Sequence, residues 1–201
     1  MTKLNLIDVG KKLREMKKTV FTPQDMIIMF GATKRAVNGF LSYNSKNNRI
    51  IKLKKSLYVL KDEYASLYLI ANKAYSPSYI SFETALSYHH LIPETVYSIT
   101  SATTKTSRDW VIGEVNYLYR TIKQSAYSGY EIKFAEDNQI RMATPEKALA
   151  DYLYFIYLGK IKTWNDRLDT TLVNKKKLKE YLLLFSNKKL LYFSKKYIPN
   201  L

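Results

Sequence analysis

Lys34, Arg35, Asn38 and Ser42 recur at helical spacing, and their side chains are those with which proteins hold and read DNA. Lys, Arg and hydroxyls grip phosphates, whereas Arg and Asn can also pair with base edges in the major groove. Val37, Phe40 and Leu41 fall at i, i+3, i+4 and predict a buried stripe on the other side of the same helix. A polar helix face also serves plain solvation, so the assignment needs its neighbours in the chain. Those neighbours fit. Thr22 can cap a preceding helix with Pro23 at its first position and Asp25 in its first turn, Met26, Ile27, Met29 and Phe30 supply its core face, and Gly31 stops it. Thr33 can cap the second helix, which carries Lys46 near its end. From Arg49 to Leu60, Ile51 and Leu53 alternate with Lys52 and Lys54, and Lys55-Ser56 makes a turn, so this stretch reads as a basic two-stranded hairpin.

Helix, turn, helix and basic hairpin in that order predict a winged helix-turn-helix over residues 1–62, with Leu4–Lys17 as its first helix. The expected DNA contacts are Thr33, Lys34, Arg35, Asn38 and Ser42 on the recognition helix, with Lys46, Arg49, Lys52, Lys54 and Lys55 on its end and on the wing.

Other residues offer weaker chemistry. Glu131 and Lys133 share one face of a strand, and with Asp109 or Glu114 they could hold Mg²⁺ for phosphodiester cleavage, yet Glu-x-Lys arises easily in a Lys-rich chain. His89 and His90 are adjacent, point to different sides of a helix and read as structural. Asp166 and Asp169 read as a solvated pair. Glu146 in a first helical turn beside Pro145 is explained by the helix dipole, with an interaction role left open for Lys147. No glycine-rich phosphate loop occurs, and no cofactor is expected.

Residues 63–201 are expected to form a mixed α/β domain. Helices are predicted over 62–75, 81–91 and 144–157, strands over 96–102, 111–122, 129–134 and 139–143, and a helical end runs from Trp164, broken around Ser186-Asn187. The fold class is therefore α+β.

The net charge of +16 points to a polyanionic partner. It is uneven: residues 1–62 hold 14 basic and 4 acidic side chains, 63–174 hold 11 and 12, and 175–201 hold 8 and 1. Absence of cysteine excludes a disulfide framework and thiolate chemistry. The longest apolar run, 148–158, is interrupted by Asp151 and too short for a bilayer, so a cytoplasmic protein without a membrane partner is expected.

Tyr79-Ile-Ser-Phe-Glu-Thr-Ala-Leu86, Tyr97-Ser-Ile-Thr-Ser101 and Ala143-Thr-Pro-Glu-Lys-Ala-Leu149 together resemble the AbiEi-type antitoxins, transcriptional regulators of abortive-infection systems, over roughly residues 5–160. The resemblance implies a winged helix-turn-helix followed by an antitoxin domain. It further implies repression of the protein's own operon through double-stranded operator DNA, and neutralisation of a nucleotidyltransferase-like toxin in phage defence. The Lys-rich last segment is the least family-like part. Two other classes stand beside this reading: a Mg-dependent nuclease with a winged-helix targeting module, and a winged-helix module for protein contacts.

Overall fold

A computed structural model describes residues 4–63, 65–135 and 138–201. Among them are eight α-helices and nine strands in two sheets, an α+β architecture. The chain forms two compact units, one comprising the residues up to Ala74 with Phe134–Gln139, the other Tyr75–Lys133 and Ile140–Leu201. Composition shifts near residue 62, but the division by contacts falls twelve residues later. Helix α4 (Leu67–Ala74) packs on the first unit, burying Leu69, Ile70 and Ala71.

The first unit runs α1 (Leu6–Glu15), β1 (Val20–Phe21), α2 (Pro23–Phe30), α3 (Lys34–Lys46), β2 (Ile50–Lys54), β3 (Leu57–Leu60) and α4. The start of α2 follows its sequence signals. Asp25 N–H donates to Thr22 Oγ1 at 3.1 Å, Thr22 N–H donates back to Asp25 Oδ2 at 2.7 Å, and Gly31 ends the helix at φ 58°. Thr33 Oγ1 accepts from Ala36 N–H at 3.2 Å and caps α3. Strands β2 and β3 pair antiparallel around Lys55-Ser56, with Ser56 at φ 61°. Strand β1, too short to show a period, pairs with the free side of β3 to give the order β1-β3-β2. Val9, Leu13, Phe21, Met26, Val37, Leu41 and Ile50 close one core, and Phe40, expected within the buried stripe, packs at its rim.

The second unit centres on a six-stranded mixed sheet of order β6-β7-β5-β4-β9-β8. The strands of this sheet are β4 (Ser78–Ile80), β5 (Ser98–Thr103), β6 (Arg108–Ile112), β7 (Val115–Thr121), β8 (Tyr130–Ala135) and β9 (Asn138–Ala143), the end of β8 and the start of β9 being counted with the first unit. The stretch read as one strand over 111–122 is a hairpin: Gly113 at φ 62° turns the chain between β6 and β7. Helix α5 (Phe82–Tyr88) follows β4. Helix α6 (Pro145–Tyr157) is buried from Glu146 to Ile156, because α5, α7 (Lys175–Leu183) and α8 (Lys188–Ser194) pack around it. A helix enclosed on all sides needs no polar face. The predicted helical end begins only at Lys175; residues 158–174 are turns and irregular backbone, and Leu172 is exposed. Among the described residues no helix is long and apolar enough to cross a membrane.

Candidate nucleic-acid interface

Between Asp25 and Asp62 the chain has eight basic residues and no acid. The structure keeps that imbalance unneutralised. Asp25 accepts from Lys18 Nζ at 2.6 Å, Glu63 pairs with Arg14 at 3.0 Å and Glu15 with Lys12 at 3.8 Å, so three of the nearby carboxylates are matched to cations outside α3 and the hairpin. Burial alone would push the Asp25 carboxyl up, but the Lys18 ammonium and the Thr22 amide and hydroxyl hold it below its usual value. Lys34, Arg35, Asn38, Ser42, Lys46, Arg49, Lys52 and Lys55 are all exposed, and their side chains make no hydrogen bond or ion pair among the described residues.

Lys54 is placed differently from the other candidates. It is half-buried, and its ammonium donates to the Ala74 carbonyl at 3.0 Å, which ties the hairpin to the end of α4. The bulge between Lys52 and Lys54 breaks the simple alternation that had put both on one face. Thr33 spends its hydroxyl on the α3 cap. Lys46, in the last turn of α3, also complements the helix dipole.

Two residues on the exposed face carry a signal the polar pattern did not use. Gly39 lies mid-helix with nothing within 4 Å of where its Cβ would be. Glycine there costs the helix about 0.5–1 kcal/mol relative to alanine, and no internal packing calls for it. One turn on, Tyr43 is 62% exposed. The sequence signal was the isolated glycine inside a helical pattern.

In the second unit the three family-like stretches converge on one buried network. The Lys147 ammonium is hydrogen-bonded to Asp151 Oδ1, and both side chains are fully buried. Asp151 Oδ2 also accepts from Tyr79 Oη at 2.9 Å and Ser81 Oγ at 2.7 Å. Burial first, and the Asp151 carboxylate second, push the Tyr79 phenol well above its ordinary value. Thr100 Oγ1 donates to the Ser81 carbonyl at 2.9 Å, and Thr84 Oγ1 to that of Ser98 at 2.9 Å. His89 Nε2 lies 2.8 Å from the Ala143 carbonyl. These motifs therefore build a core. Lys147, for which an interaction role was open, cannot be reached by a partner in the folded protein, and Glu146 Oε1 accepts from Asn174 N–H at 3.2 Å.

The metal-nuclease constellation does not assemble. Asp109 on β6 and Glu131 on β8 occupy opposite edges of the six-stranded sheet, five strand spacings or ~24 Å apart. Glu114 sits in the β6–β7 turn at the Asp109 edge. Asp109 pairs with Arg120, and Glu131 with Lys133 at 2.7 Å; that hydrogen bond lowers the Glu131 carboxyl and raises the Lys133 ammonium. Among the described residues no group of three or more His, Asp or Glu could hold a metal ion. Asp169 is engaged by the Thr171 hydroxyl and amide, which lower its carboxyl.

No protein-family model matches this chain. No curated protein matches it either. Its functional reading therefore rests on its own residues and geometry and on the motif resemblance.

Proposed function

We propose that this protein is a DNA-binding transcriptional repressor that autoregulates its own operon and acts as antitoxin to a nucleotidyltransferase-like toxin in phage defence. In this reading the first unit is a winged helix-turn-helix, α3 is its recognition helix and β2–β3 its wing. The observation that carries the DNA-binding half is the exposed face of α3. Arg35, Asn38 and Ser42 flank the open Gly39 within an acid-free stretch in which Lys34, Arg35, Lys46, Arg49, Lys52 and Lys55 are exposed and unpaired among the described residues. Such a face offers both phosphate grip and base-edge reading. Lys52 and Lys55 are the wing residues free to hold phosphates. In this reading the two units divide the labour, with DNA held by α3 and the hairpin of the first and the antitoxin role in the second. The antitoxin half rests on the motif resemblance, and the buried network of Tyr79, Ser81, Lys147 and Asp151 supports it only as the scaffold of that unit.

A gel-shift titration against the DNA upstream of the protein's own gene tests the first half. Arg35→Ala or Asn38→Ala should remove about 1–3 kcal/mol of discrimination between operator and random DNA, while Lys52→Ala should weaken both alike. Equal loss on both DNAs from all three variants would move the recognition face elsewhere. Co-expression with a nucleotidyltransferase-like toxin encoded beside the gene tests the second half, and growth unchanged by this protein would remove it.

A further inference from the structure

We propose that α8 and the end of α6 form a second nucleic-acid site, in the second unit, that takes a single strand by stacking bases on tyrosine. The site is a groove of about 530 Å³ lined by Tyr157, Lys188, Lys189, Tyr192, Phe193 and Lys196. Helical spacing sets Lys188 one turn before Tyr192, and past the end of α8 the Lys196 ammonium lies over the Tyr197 ring, 5.6 Å from its centroid. Tyr192 is 82% exposed and makes no ring contact among the described residues. Its neighbour Phe193 is the anchor: its ring packs on Tyr157 at 5.5 Å and on Tyr197 at 5.2 Å, and Tyr197 in turn meets Trp164 at 4.7 Å. A rigid aromatic floor, a free ring beside it and cations around both are the parts from which single-strand platforms are made.

The charge of the region selects a polyanion. Residues 175–201 carry eight lysines and one glutamate, and residues 188–196 carry four lysines and no acid. The rings select among polyanions. A duplex keeps its base faces stacked inside and offers mainly phosphates to a shallow surface, for which lysines alone suffice. An unpaired strand presents π-faces to Tyr192 and phosphates to Lys188, Lys189 and Lys196 at the same time. This site is independent of the α3 face and stands whether or not that face reads an operator.

Fluorescence anisotropy of the full chain with labelled dT15, an abasic 15-mer, a 15-base-pair duplex and poly-glutamate tests it. The expected result is tighter binding of dT15 than of the abasic strand. Tyr192→Ala should weaken dT15 binding about tenfold, with Tyr192→Phe retaining it. Lys188→Ala with Lys196→Ala should weaken dT15 and the abasic strand alike, and Arg35→Ala with Asn38→Ala should leave dT15 binding in place. Circular dichroism confirms that Tyr192→Ala stays folded, as its exposure predicts. Equal affinity for dT15 and the abasic strand, or an unchanged Kd in Tyr192→Ala, would overturn stacking. Poly-glutamate binding as tightly as dT15 would reassign the groove to an acidic protein surface. A duplex bound more tightly with the same Tyr192 dependence would also overturn the single-strand assignment.

Discussion

Gly39 sets helix stability against closeness of approach. Alanine at this position meets no atom within 4 Å, so Gly39→Ala should stabilise the protein by about 0.5–1 kcal/mol, read as a higher Tm. On DNA the added methyl stands between α3 and its partner, and operator affinity should fall although stability rises. A variant both more stable and equally tight would show that nothing comes close to α3 there. His89 makes a different prediction. Burial, outweighing its bond to the Ala143 carbonyl, holds its imidazole below the ordinary value of 6.5. The unfolded chain therefore takes up a proton before the folded one does, so this histidine weakens the fold as pH drops below about 6.5. Melting curves between pH 7.5 and 5 should fall less steeply for His89→Gln than for the natural protein. Identical slopes would place the sensitivity in another group.

At the scale of the element, α6 explains what the most distinctive motif of the chain does. Thr144 and Pro145 start the helix, and Lys147 then falls one turn before Asp151, directing both charges into the interior against Tyr79 and Ser81 of the β4 region. Gly129, at φ 72°, approaches this cluster so closely that a Cβ there would lie 2.6 Å from the Tyr181 ring and 3.0 Å from Lys147 Cγ. Removing one partner of a buried pair strands the other without water, which costs about 3–5 kcal/mol. Asp151→Ala should therefore lose roughly that much stability in urea denaturation, whereas Lys147→Met combined with Asp151→Leu should lose much less. Equal losses in the single and double variants would mean that packing volume, not charge, is what the site requires.

For the molecule as a whole, charge organisation matters more than its total of +16. Six cations near α3 and the hairpin, Lys34, Arg35, Lys46, Arg49, Lys52 and Lys55, are exposed and unpaired among the described residues. If all six meet phosphates, a plot of log affinity for operator duplex against log salt should have a slope of about −5. A shallower slope means that some of the six stay solvated. A slope well beyond −5 that returns to it when Lys188 and Lys196 are both replaced by alanine would bring the second unit's lysines onto the same duplex.

Much of the first unit was legible in the chain because its signals are local. The Thr22 cap with Asp25 in its first turn, the Gly31 stop, the Thr33 cap and the Lys55-Ser56 turn each involve residues within four positions of one another, and each appears in the structure. The acid-free run from 26 to 61 was equally plain, since charge is carried by composition. Distant pairings were not legible. Strand β1 exists because β3 has a free edge to offer, α4 joins the first unit through its packing, and Lys54 leaves the candidate contacts because the Ala74 carbonyl lies within its reach. The acid pair Asp109 and Glu131 looked like a site along the chain and is separated by the strand order, which depends on pairings between residues far apart in sequence. By itself the sequence determined α2, α3 and α6 with their threonine caps, the basic hairpin and where positive charge accumulates, because short-range hydrogen bonding and side-chain charge suffice for these. Only the tertiary structure decided which charges remain free and which are buried. That Lys147 is a core residue while Arg35 faces solvent depends on what packs over each, and no local pattern records it.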